Sequence, residues 1–283
     1  MPMASNLTPE SRFMALFIGP KHSGKTVAAC SWLSDNKSKR IKVLDGDGRI
    51  RGILGAPWVE KDRIDYDYFP PKVAGSSDTF FQRVNEDLDA LLSTIRNGRS
   101  PYETYVCDSA TAFTKNLILD AIPLTHGDGK GKRLGTVNMA GPEDYGFEST
   151  GMDSYLSFLR SLPINVIMTA HVIDKFDKPM IQQGGKQVKD AYADSIKVGE
   201  KLSLRDKISA NMSIYFDHIF RFDRQVVYEQ EKFYVEYISD IACTSFPGLK
   251  PGKYEITGKN FRQFTLDLVS KSAQVSTPVE SGK

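Results

Sequence analysis

Cysteine is scarce in this chain, with three copies in 283 residues: Cys30, Cys107 and Cys243. Their odd number, wide separation and apolar surroundings exclude a disulfide-stapled scaffold and predict buried free thiols in a reducing compartment. Histidine is nearly as rare, at four residues, and neither type recurs at zinc-ligand spacing, so a structural zinc site is not expected. No apolar run approaches the ~20 residues of a membrane span, and the opening MPMASNLTPESR lacks the apolar core of a leader peptide. The expectation is a cytoplasmic protein with no membrane partner. An excess of one charge is missing too: 37 basic residues stand against 35 acidic ones, net +2. Global electrostatics therefore does not attract polyanions, and any nucleic-acid contact has to come from a local patch.

What is present is enough apolar residue, 40% of the chain, to bury the core of one large α/β domain. The run FMALFI, residues 13 to 18, reads as a buried strand, and TVAACSWLSD after the next loop has helical spacing through Thr26, Ala29 and Leu33. A second strand, IKVLDGDG, stops in a glycine turn that carries Asp45 and Asp47. Residues 80 to 96 repeat Val84, Leu88, Leu91, Leu92 and Ile95 at helical intervals and end at Asn97-Gly98. YETYVC is a third strand, meeting Asp108-Ser109 before a helix to about Ile122. INVIMTAH, after the helix candidate GMDSYLSFLRSL and Pro163, is a fourth. Residues 124 to 149 and 172 to 205 read as a long loop and a second loop or hairpin, and alternating segments follow. These signals predict an α/β fold: a mostly parallel central sheet with helices on both faces and a C-terminal antiparallel extension. The expected boundaries are an N-terminal arm at 1–11, one domain at 12–268 and a disordered polar tail at 269–283.

Gly19-Pro20-Lys21-His22-Ser23-Gly24-Lys25-Thr26 matches G-x-x-x-x-G-K-[ST] in full, between an apolar strand and a helix that Val27 continues. Glycines let the backbone curl so that amides surround a phosphate, Lys25 reaches its outer oxygens, and the Thr26 hydroxyl suits Mg²⁺. The expected ligands are ATP and Mg²⁺. Asp108 ends a hydrophobic strand where a carboxylate would support the metal. Asp47, with Asp45 second, is the candidate to orient or deprotonate a water, although both also suit a D-G-D-G turn. His171, at the end of its strand, is placed to touch the last phosphate, the alternative being a histidine satisfied in the core. Lys25, Asp47, Asp108 and His171 form the candidate catalytic set, and Gly19, Asp45, Asp108 and His171 fall at predicted strand C-termini, which places them along one edge of the sheet.

This order of parts resembles the RecA-like P-loop ATPase core. It is most similar to the phage-encoded ATP-binding branch associated with single-strand annealing and recombination, the RecA-like Sak group, over roughly residues 12 to 250. The resemblance implies a DNA-stimulated, oligomeric ATPase, a filament or a ring, working in a bacterial host's cytoplasm with a single-strand DNA-binding protein as a further partner. It also implies that the two long segments hold single-stranded DNA, through Lys130, Lys132 and Arg133 in the first and residues such as Lys186 and Lys189 in the second. The family commonly has glutamate where Asp47 stands, and basic residues that reach across the subunit interface from a late strand. YISDIACTSF has none, leaving Arg221, Arg224 or Lys250 as substitutes. Two other functions stay open: a P-loop small-molecule or nucleotide kinase, and a nucleotide-gated interaction module with little turnover.

Overall fold

A computed structural model describes residues 12–56, 58–69, 79–126, 133–134, 137–138, 140–183, 186–189, 194–238 and 252–267. The expected N-terminal arm and polar tail, with Cys243, Lys130, Lys132 and Lys250, lie outside the described residues.

The apolar runs 14–19, 41–45, 104–108 and 166–170 become central strands because they are buried on both faces. The strands in chain order are β1 (Met14–Gly19), β2 (Arg40–Asp45), β3 (Ile64–Asp67) and β4 (Tyr102–Asp108), then the two-residue strands β5 (Arg133–Leu134) and β6 (Val137–Asn138). There follow β7 (Asn165–Asp177), β8 (Met180–Gln183), β9 (Lys186–Lys189), β10 (Ile196–Leu202), β11 (His218–Val227), β12 (Gln230–Ile238) and β13 (Gly252–Glu255). The helices are α1 (Lys25–Cys30), α2 (Phe80–Arg96), α3 (Ala110–His126), α4 (Pro142–Ser161) and α5 (Asp206–Met212), with a short turn of helix over 261–267.

The main sheet runs β13-β12-β11-β1-β7-β4-β2-β3. Pairing is parallel from β11 to β3 and antiparallel from β11 to β13, so the fold class is the one expected. One face packs on α2, α3, α4 and α5. Phe113 stacks on Tyr155 there, with centroids 4.0 Å apart. The other face packs on α1, the segment from Ile50 to Ile64 and the turn at 261–267, around the rings of Phe17, Trp32, Phe222 and Phe261.

Several expectations are corrected. α1 ends at Cys30 instead of running to Asp35. Ser31 turns its hydroxyl back to the Ala28 carbonyl at 2.8 Å, and Trp32 and Leu33 leave the helix to enter the core. The following loop is held open by Arg63, whose buried guanidinium donates to the carbonyls of Ser34, Asn36 and Lys39. α4 starts at Pro142, nine residues before the expected helix, because proline suits the first helical turn and the Asp144 carboxylate accepts from the Gly141 amide at 2.6 Å.

Of the loop or hairpin expected for the second long segment, the paired form is found. β7 continues past His171 to Asp177 and pairs antiparallel with β10, making a two-stranded arm that leaves the sheet, while β8 pairs with β9. α5, β3, β13 and the 261–267 turn are additions that the reading of the sequence did not contain.

Candidate active site

The register of the parallel strands gathers the strand-end residues. Gly19 pairs with His171 and Asp45 with Asp108, so β1, β4 and β2 end near the point where β7 passes out of the sheet, and the loops after them share one edge. A cavity of ≈ 720 Å³ opens there, and Lys25, Thr26, Asp47, Asp108 and His171 all line it.

The phosphate loop has the backbone that its sequence demands. Gly24 is left-handed at φ 89 and caps α1. Gly19, at φ 154, leaves no room for a side chain, since a Cβ would lie 2.2 Å from the Phe222 carbonyl of the neighbouring strand β11. Among the described residues the amides of residues 21–26 donate to no main-chain acceptor, so they are available to an anion inside the curl. Lys25 is buried and donates Nζ to the carbonyls of Gly19 and Pro20 at 2.9 and 2.7 Å, and to Ser23 Oγ at 3.3 Å. Burial pushes its ammonium down to about 8, against the attraction of Asp108 and Asp47.

Thr26 Oγ1 donates to Asp108 Oδ2 at 2.9 Å, and Thr169 Oγ1 donates to Asp108 Oδ1. Two hydroxyls leave the carboxylate's charge uncompensated, and burial raises its pKa despite them. A hydroxyl beside a carboxylate short of a cation is a hard-oxygen donor set that fits Mg²⁺. Among the described residues no group of three or more His, Cys, Asp or Glu side chains converges to hold a metal by itself. Phosphate oxygens would have to complete the coordination shell.

The two aspartates of the D-G-D-G turn separate cleanly. Asp45 is buried and accepts from the amides of Arg49 and Ile50 at 3.0 and 2.9 Å, which fixes the turn. Asp47 faces the cavity, with His171 Nε2 at 3.6 Å and Ser109 Oγ at 3.4 Å from its Oδ2. The His171 ring holds this carboxylate below the usual range, against the opposing effect of partial burial. His171 Nδ1 is buried without a hydrogen-bond partner among the described residues. The same residue's amide meets Thr111 Oγ1 at 3.3 Å.

Arg133 lies in β5 and Lys186 in β9. Lys189 pairs with Asp177 at 2.7 Å, Lys197 with Asp174 at 2.6 Å and Lys201 with Asp206 at 3.1 Å.

The cavity also has a wall that the sequence did not announce: Arg224 from β11, Glu231 and Phe233 from β12, and Ile256 and Lys259 beyond β13. The signal was available in the alternation of β11, where Phe222 and Arg224 share a face.

A family model described as AAA domain matches residues 11–240. No curated protein matches the chain. Among solved structures, a KaiC-like protein of the hyperthermophilic archaeon Pyrococcus horikoshii is 14% identical over 87% of this chain and 85% of its own, with a TM-score of 0.46. The flagellar accessory protein of Methanocaldococcus jannaschii is 11% identical over the same shares, with a TM-score of 0.43.

Proposed function

The chain belongs to the AAA domain family, and from that premise we propose that this RecA-like P-loop ATPase hydrolyses ATP in the cavity at residues 19–27 and uses the nucleotide state to control a grip on single-stranded DNA. The observation that carries the hydrolytic part is the meeting of Lys25, the Thr26–Asp108 contact and the Asp47–His171 pair around one cavity.

Loop amides and Lys25 bind the phosphates, the lysine exchanging the Gly19 and Pro20 carbonyls for phosphate oxygens. Thr26 and Asp108 would hold Mg²⁺, which when bound neutralises charge on the phosphate oxygens. Asp47, ionised and facing the cavity, orients the attacking water and accepts its proton. His171 keeps that carboxylate in place through Nε2.

His171 also supports the DNA part of the reading. It belongs to β7, the strand that continues without a break into the arm, and its carbonyl accepts from the Ser203 amide at the arm's return at 2.7 Å. Whatever moves His171 on loss of the last phosphate moves the root of the arm. The arm exposes Phe176, Ile173, Ile196 and Val198, each about half accessible, a surface on which bases can stack with little sequence preference. A phage-type recombination or annealing protein, assembled as a homo-oligomer on the strand, fits that division of labour.

Phosphate release measured with and without single-stranded DNA tests the proposal. Stimulation by DNA in the wild type, with no activity in Lys25→Ala, is expected. Turnover indifferent to DNA, together with no ATP-dependent DNA binding, removes the DNA half. A phosphorylated small molecule in place of free phosphate removes the whole reading.

A further inference from the structure

We propose that Arg224 binds the nucleotide held by its own chain, on the nucleoside side of the phosphates, and that Glu231 is its resting partner. This rests on the ATPase reading of the cavity and adds a residue to it.

His171, Asp108 and Asp47 sit on or after β7, β4 and β2, all on one side of β1 in the sheet, and β11 lies against the other side of β1. The reacting end of a bound triphosphate is marked by Asp47. Its nucleoside therefore extends the opposite way, past β1 towards β11 and β12. That side has an apolar wall: Phe233 comes within 3.4 Å of where a Cβ on Gly24 would stand, and Ile256 lies beside it in the same cavity.

Phe222 is fully buried below the phosphate loop, with its carbonyl against Gly19, and Arg224 is the next residue up on the same face, paired across the ladder with Phe233. Its guanidinium is thus delivered into the cavity of its own chain. Arg221 points to the opposite face and is taken by Glu200 of the arm at 2.8 Å. Of the late-strand basic residues considered for a role across a subunit interface, Arg224 is accounted for in cis.

Arg224 is paired with Glu231 at 2.5 Å, and both are partly exposed at the cavity mouth. An ion pair in such a setting contributes little net stability, so it holds the guanidinium in position without preventing transfer to a phosphate oxygen, a partner with more negative charge and matching fork geometry.

Nucleotide affinity, steady-state turnover and a mixing assay test this together. Arg224→Ala is expected to raise the dissociation constants of ATP and ADP alike by about tenfold or more while kcat at saturating ATP is nearly unchanged, as loss of a charge-assisted contact away from the reacting phosphate requires. Arg224→Lys should recover part of the affinity, and Glu231→Gln should leave it equal or tighter. A fall in kcat with unchanged affinity would put the arginine at the reacting end and overturn the proposal. Lysine failing to recover any affinity in a folded variant would reduce Arg224 to a packing role.

For the mixing assay, Arg224→Ala and Lys25→Ala chains are combined at ATP near the wild-type dissociation constant. An arginine acting across an interface would be supplied by the Lys25→Ala chains and restore turnover, which sinks the cis assignment. Activity no greater than the sum of the separate variants is expected. Absence of ATP binding by the wild type is a distinct outcome, since it removes the ATPase reading itself.

Discussion

Asp45 and Asp47 stand two residues apart, yet their surroundings give them different work. Both oxygens of Asp45 are spent on main-chain amides, whereas Asp47 keeps a face open to the cavity. Asp47→Asn should therefore lower kcat by about a hundredfold or more with ATP affinity retained, while Asp45→Asn should show mainly as lost stability, about 1–3 kcal/mol, in a denaturant titration. If Asp45→Asn were the variant that folds normally and cannot turn over, the two roles would be reversed. A second residue-level prediction concerns His218, buried on β11 beside Tyr237 and driven down to about 4, from 6.5, chiefly by desolvation. Between those values the unfolded chain binds a proton that the folded chain does not. Stability is therefore complete above the unfolded pKa and is lost as pH falls from about 6.5 towards 4, by roughly 2–3 kcal/mol in all. His218→Gln, which has nothing to titrate there, should show a shallower decline in chemical stability over the same window, and equal slopes would refute the assignment.

Among the elements, the β11–β12 hairpin carries the clearest conflict between sequence and backbone. Its turn holds Tyr228 and Glu229 at φ 50 and 65, and the tyrosine is 96% exposed. Positive φ at two side-chain-bearing residues costs free energy that asparagine and glycine avoid, so Tyr228→Asn with Glu229→Gly should raise stability by about 1 kcal/mol, read as a higher denaturation midpoint at unchanged slope. No gain would mean that the left-handed backbone at these two residues carries no net cost in this turn. The same scale shows what the sequence could tell. α2 was legible because one apolar stripe and Asn97-Gly98 agree, and the structure adds Thr79 as its cap, the hydroxyl accepting from the Gln82 amide. α1 was overextended because helical spacing continues through Leu33, while the competing contacts that end it, Ser31 with Ala28 and with Phe261, come from the fold. The arm was read as a loop or hairpin because its polar and apolar residues follow neither period once β7 leaves the core. In the site, residues that end parallel strands were legible, since a strand's end is a local signal. Arg224 and Phe233 were not placed in the cavity, because which face of an antiparallel ladder meets the phosphate loop depends on pairing between distant segments.

For the whole molecule, the site is a junction of both layers. The phosphate loop and the hairpin wall belong to the face packed on α1, while Asp108 leads into α3 on the other face. A nucleotide seated there contacts loops after β1, β2, β4 and β7 together with the β11–β12 hairpin, so it has to be bound by the folded sheet and has no counterpart site in the unfolded chain. By mass action, nucleotide at about 100 times its dissociation constant adds about 2.7 kcal/mol, which for a domain of this size is about 5 °C in Tm. Mg²⁺ with a non-hydrolysable ATP analogue should produce that shift in the wild type. In Lys25→Ala the shift should largely vanish, because the variant loses affinity and not fold. In Asp47→Asn the full shift should remain, because that carboxylate is assigned to the water and not to the phosphates. A thermal shift lost in Asp47→Asn as well would mean that Asp47 helps hold the nucleotide, and the separation of binding and hydrolytic residues along the sheet edge would then be wrong.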